Sequence, residues 1–146
     1  MSYLLRVTLI ALALLTTVSC SSKRMLTPDR TLHPSIHADR AQMQQAIVKS
    51  LVGRGWTVQK ITPERVQAQI TVREQFHAEI DIPYSATHYQ IIYRNSSGLD
   101  YKDGKIHKNY IRWVRLLDKG IVRELKDHQN ERTARQLSES ALAKPL

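Results

Sequence analysis

Apolar and polar positions follow two periods from residue 38 onward, and each change of period marks a new element. Over Ala38–Leu51, Met43, Ala46, Ile47 and Leu51 recur at steps of three and four, which predicts a helix with one buried face. Asp39 stands where an N-terminal cap or first-turn acid belongs. Gly53 and Gly55 follow and stop the pattern, as glycine does after a helix. The period then drops to two. Trp56 and Val58 alternate with Thr57 and Gln59 as far as Ile61, and Thr62-Pro63-Glu64 predicts a turn. Val66, Ala68, Ile70 and Val72 alternate with Gln67, Gln69, Thr71 and Arg73. Phe76, Ala78, Ile80 and Ile82 alternate with His77, Glu79 and Asp81 until Pro83 ends the run. Tyr89, Ile91 and Tyr93 predict one face of a fourth strand. Strands with one apolar and one polar face belong to an antiparallel sheet covered on one side.

Asn95–Gly104, rich in Asn, Ser, Gly and Asp, reads as a loop. A second helix is predicted from about Lys105–Asn109 to Lys126, with Ile111, Val114, Leu117, Ile121 and Leu125 as its core stripe and Gly120 as a weak point or bend. Beyond residue 127 the apolar pattern fades, which predicts a polar tail over 128–146. The fold class is therefore α+β: a four-stranded antiparallel sheet with two helices packed on one face, the domain spanning residues 37–127.

The first residues follow a different logic. A single positive charge, Arg6, precedes the apolar run Val7–Leu15, and Thr16, Thr17, Val18 and Ser19 lead to Cys20. This is the charged, apolar and small-residue order of an export signal, and the run is short for a membrane span of about 20 residues. The segment resembles a lipoprotein signal with its lipobox: Ser19 and Cys20 match the last two positions, while Thr17 stands where leucine is usual. The resemblance implies a signal peptide over 1–19, cleavage before Cys20, a diacylglyceryl group on its thiol and palmitate-like acylation of the new amine. Stable anchoring requires two or more such chains. By the same resemblance Ser21, where aspartate would retain the protein in the inner membrane, implies the cell outer membrane with the domain facing the periplasm. Residues 20–36, polar and with two prolines, read as a flexible, lipid-anchored tether.

Composition sharpens this picture. A hydrophobic fraction of 42% suits a folded domain rather than a disordered chain. Of the 22 Lys and Arg only Arg6 precedes Cys20, so the exported part carries 21 basic against 13 acidic residues, a net +8. That excess favours anionic partners: lipid head groups or an acidic envelope protein. Export excludes nucleic acid as a natural partner. The lone cysteine, Cys20, excludes an internal disulfide and a cysteine-based zinc site.

Arg112, Arg115, Lys119, Arg123 and Lys126 share one side of the second helix, displaced from its apolar stripe. They form a candidate contact surface, against the plainer reading of a solvated face. His77, Glu79 and Asp81 lie on one strand face, but their side chains run parallel rather than converge, so no metal or cofactor is expected there. The histidines are scattered and no catalytic triad or phosphate loop is present, so no catalytic residue is assigned. Tyr89, Tyr93 and Trp113 read as core between sheet and helix, and Tyr101 and Tyr110, beside the polar loop, as interface candidates.

The stretch from Gly55-Trp56 through His77-Ala78-Glu79-Ile80, Leu99-Asp100-Tyr101, Gly104-Lys105-Ile106-His107 and Asn109 to Trp113 resembles a group of small, uncharacterised proteobacterial lipoproteins. The resemblance implies a lipoprotein with an α+β periplasmic domain; it supplies no activity. It makes Tyr101, His107, Tyr110 and Trp113 the positions of a shared site, if one exists. Their alternative is a packed loop-to-helix junction, with His107 or Asn109 as the helix cap. The expected function is that of a non-enzymatic adaptor or accessory protein of the cell envelope. A small module binding a lipid or cell-wall fragment is the alternative.

Overall fold

The computed structural model describes residues 21–143. Residues 1–20, expected to form an export signal ending at the lipidated Cys20, lie outside the described residues. The elements run β1 (Ser22–Arg24), β2 (Asp29–Thr31), α1 (Arg40–Gly53), β3 (Thr57–Ile61), β4 (Arg65–Val72), β5 (Phe76–Pro83), β6 (His88–Gln90), β7 (Ile92–Ser97), β8 (Lys105–His107) and α2 (Lys108–Leu142). Among the described residues no helix is long and apolar enough to cross a membrane.

Strands β3, β4, β5 and β7 form a four-stranded antiparallel sheet in that order. The period-two pattern dictates its two faces. Val66, Ala68 and Ile70 of β4 pair with Ile82, Ile80 and Ala78 of β5, and all six are buried. Both helices pack on this face: Met43, Ala46, Ile47 and Leu51 of α1 and Val114, Leu117, Ile121 and Leu125 of α2 share a single core with it. The expected α+β architecture is therefore present.

Helix α1 starts where its sequence dictates. The Asp39 carboxylate accepts the Gln42 N–H at 2.7 Å, and the Gln42 side chain accepts the Asp39 N–H at 2.9 Å. This reciprocal cap satisfies two N–H groups that the helix itself leaves without partners. The helix ends at Gly53, and Gly55, at φ +80°, turns the chain into the sheet.

Three features depart from the sequence pattern. The predicted fourth strand is broken at Ile91, whose N–H donates to the Pro28 carbonyl at 2.9 Å. β6 leaves the sheet to pair with β2, while β7 remains on β5 with a register shift between Glu79 and Ile80 and takes in Asn95–Ser97 from the expected loop. Residues 22–24 and 29–31, within the stretch read as a tether, are strands: β1 pairs with β8 and β2 with β6. Met25, Leu26, Leu32 and Ile36 from the same stretch pack against the core. Finally, α2 continues to Leu142 where a tail was expected. Its residue Gln129 donates to the Ser35 carbonyl at 2.6 Å and accepts the His37 N–H at 3.0 Å, pinning the N-terminal segment to the helix.

Gly120 marks a close approach of the two helices. A Cβ built there would meet the Ser50 Cβ and Oγ at 3.5 Å and the Arg54 Nε at 3.8 Å, which is ordinary contact. Alanine is favoured over glycine in a helix interior by about 1 kcal/mol. Gly120→Ala is thus expected to raise the unfolding free energy by about 0.5–1 kcal/mol, checked by urea denaturation.

Candidate contact surface

Lys108, Arg112, Arg115, Lys119, Arg123 and Lys126 recur along α2 at steps of four, three, four, four and three, and all six are exposed. The buried stripe of the same helix occupies the opposite side. From Lys108 to Lys126 the row extends about 27 Å, at about 1.5 Å per residue. The acids of this stretch point elsewhere and are already paired: Asp118 with Arg30 at 2.6 Å, and Glu124 with Lys49 at 2.7 Å. Among the described residues none of the six cations forms an ion pair. The charge is segregated by helix face rather than alternated.

The N-terminal ribbon extends the positive surface. Lys23 of β1 joins Lys108, Asn109, Ile111, Arg112 and Arg115 around a shallow cleft of about 280 Å³. Arg24 sits opposite Lys105 in the β1–β8 pair. The Lys108 N–H donates to the Ser21 carbonyl at 2.9 Å, fixing the first described residue to the first turn of α2. Lys23 belongs to the surface for a reason no helical period reveals: the ribbon brings it in from outside the helix.

The remaining sequence candidates separate. His107 caps α2, its Nδ1 accepting the Asn109 N–H at 3.2 Å while its ring stacks on Phe76 with centroids 5.6 Å apart. Tyr101 is exposed, its ring 4.6 Å from that of Tyr93. Tyr110, expected at an interface, is instead fully buried, edge-on to Tyr93 at 5.8 Å. Among the described residues its hydroxyl has no hydrogen-bond partner, and burial pushes it well above the usual tyrosine range. Tyr110 is therefore core, placed there by its position on the buried stripe of α2. Trp113 is half-buried against the same core.

On the outer sheet face His77, Glu79 and Asp81 belong to a hydrogen-bonded lattice. Arg94 donates to Glu79 at 3.0 Å and to Asp81 at 3.2 Å, and Gln67 donates to Asp81 at 3.1 Å. The His77 ring lies 2.9 Å from the Thr71 hydroxyl and 3.2 Å from the Glu79 carboxylate. The hydrogen bond from His77, then the Arg94 charge, hold the Glu79 carboxyl below its ordinary value against the opposing effect of burial. The two carboxylates are spent on Arg94, so this face offers no unneutralised charge comparable to α2.

One constellation is absent from the sequence reading. Asp118 is buried on α2 and takes a two-point contact from Arg30 of β2, at 2.9 and 2.6 Å. The fully buried Tyr89 donates to the same carboxylate at 2.8 Å. Burial alone would raise the Asp118 carboxyl, but the hydrogen bonds from Arg30 and Tyr89 and the Arg30 charge outweigh it and hold the group below its ordinary value. The signal was an acid beside Leu117 inside an apolar stripe.

Compared with protein-family models the chain matches none. Comparison with curated proteins likewise finds no match.

Proposed function

We propose that the chain is a lipoprotein anchored in the outer membrane through Cys20, its domain facing the periplasm, and that it serves the cell envelope by binding rather than by catalysis. The observation that carries this reading is the row of unneutralised cations on α2, beginning beside the residue that follows Cys20. Such a surface attracts anionic partners. Its rigidity also fits a contact role, because α2 is held by the core on its other side. The space between sheet and helices is filled by side chains such as Val66, Ile80, Ile82, Leu117 and Ile121, all fully buried. That filling favours an adaptor or accessory over a module with a lipid-sized interior site.

The test is in-cell crosslinking from a photoreactive residue at position 115, with the full chain and with Cys20→Ala in parallel. Adducts with an envelope lipid or one defined protein, lost in the Cys20→Ala chain, are expected. No adduct, or adducts unchanged by Cys20→Ala, would contradict the reading.

A further inference from the structure

We infer that the basic row of α2 lies directly on the anionic phospholipid head groups of the membrane, with the helix axis along the bilayer surface. The inference rests on the proposed anchor at Cys20 and adds what that anchor does to the domain. Consecutive Cα atoms are about 3.8 Å apart. Ser21 is already tied by its carbonyl to the Lys108 N–H, and Ser22–Arg24 are paired with Lys105–His107. A lipid on residue 20 therefore has a single peptide link of slack, not a tether's length. It brings the first turn of α2 to the bilayer, and with it the cleft lined by Lys23, Lys108, Arg112 and Arg115.

The rest of the row specifies the tilt. Arg115, Lys119, Arg123 and Lys126 continue on the same exposed side of the same helix, so the electrostatic attraction is greatest when the whole row meets the head groups. The chemistry of the row fits lipid phosphates better than a protein. Protein interfaces hold an apolar or aromatic centre inside a polar rim. Among the described residues the exposed large apolar side chains are Val52, Ile61, Ile92, Tyr101, Leu137 and Leu142, none of them a member of the row. The carboxylates of the outer sheet face are paired with Arg94, and that face would point away from the membrane.

The experiment uses the full chain, produced in cells, purified with its lipid and reconstituted in vesicles of phosphatidylethanolamine with or without one quarter phosphatidylglycerol. A photoreactive residue stands either at Lys119, mid-row, or at Thr71, exposed on the outer sheet face. Lipid adducts are counted by mass spectrometry. Adducts at position 119 are expected to exceed those at position 71 by about tenfold in the anionic vesicles, and to fall roughly fivefold in the chain carrying Arg112→Glu, Arg115→Glu and Arg123→Glu. All three arginines are exposed and unpaired among the described residues, so the variant keeps its fold, which circular dichroism verifies. A chain without an acyl group on Cys20 removes the anchor and this inference with it. An acylated chain that crosslinks lipid equally from both positions overturns this inference alone. So does one whose position 119, in intact cells, captures an acidic protein in place of lipid.

Discussion

Asp118→Ala is expected to lower the unfolding free energy by about 2–4 kcal/mol, the larger share from polar groups left without partners. Asp118 holds three donors together: both arms of the Arg30 guanidinium and the Tyr89 hydroxyl. With alanine in its place, Tyr89 retains only a 3.3 Å contact to the main-chain carbonyl of residue 118, inside a site where it is fully buried. Arg30, whose side chain is 48% exposed, recovers part of its hydration, which keeps the loss below that of a fully buried pair. The damage is not only local, because Arg30 belongs to β2 and its contact with α2 fixes the N-terminal segment. Hydrogen exchange in residues 29–32 is expected to quicken in the variant.

The same carboxylate gives a pH signature with a definite sign. Its value in the folded protein lies below the ordinary one. Its contribution is therefore complete above the unfolded value of about 3.9 and is lost as the pH falls through the lower folded value. The stability difference between the native protein and Asp118→Ala should be flat from pH 7 to 5 and shrink below about pH 4. Asp29 and Glu79 are also held low, Asp29 first by the hydrogen bond from Gln90 and then by that from His88. Glu79, on the outer sheet face, is untouched by the substitution, so its effect cancels in the difference; Asp29 lies in β2, and loosening of that strand adds a contribution of the same sign. Urea denaturation at a series of pH values checks size and sign together, and a difference that grows toward acid would contradict the assignment.

Gly98→Ala is expected to lower stability by at least about 3 kcal/mol. Gly98 sits at φ +69°, and a Cβ there would lie 2.0 Å from the Gln75 carbonyl oxygen and 3.1 Å from its carbon. The obstacle is main chain, at the turn between β4 and β5, so no side-chain rotation relieves it. The neighbouring Leu99 is fully buried and its carbonyl accepts the His107 N–H at 2.8 Å. Displacing it disturbs the cap that starts α2. Gly104 supplies the comparison: it has φ +71° but open space around its Cβ position. Gly104→Ala should lose only the backbone preference, about 1 kcal/mol. Equal losses from the two substitutions, measured by urea denaturation, would show that the contact with Gln75 is not a constraint on the fold.

These residues also show what the sequence could and could not convey. β4 and β5 were legible because each buries one face, and the alternation of Val66, Ala68 and Ile70 with glutamines and threonine is the direct record of that burial. Asp39 was legible because a capping box is a local motif. β1 and β2 were not, since three residues each, mostly exposed, carry no period. Their pairing is specified by β8 and β6, far along the chain. The break at Ile91 was hidden because Tyr89 and Ile91 are fully buried and Tyr93 packs against the same core, which preserves the alternation across it. Helix α2 beyond residue 127 is mostly exposed, so its continuation leaves no apolar stripe to read. At the contact surface the row from Arg112 to Lys126 follows from helical spacing alone. Lys23 does not, nor does the Arg30–Asp118 contact, which joins residues 88 positions apart.

The most direct measurement of the central claim is the intact mass of the protein recovered from the membrane fraction of Gram-negative cells expressing all 146 residues. The anchored reading predicts a chain beginning at Cys20 and carrying a diacylglyceryl group together with an additional acyl chain. A chain still beginning at Met1, or one cut elsewhere with the Cys20 thiol free, would contradict it.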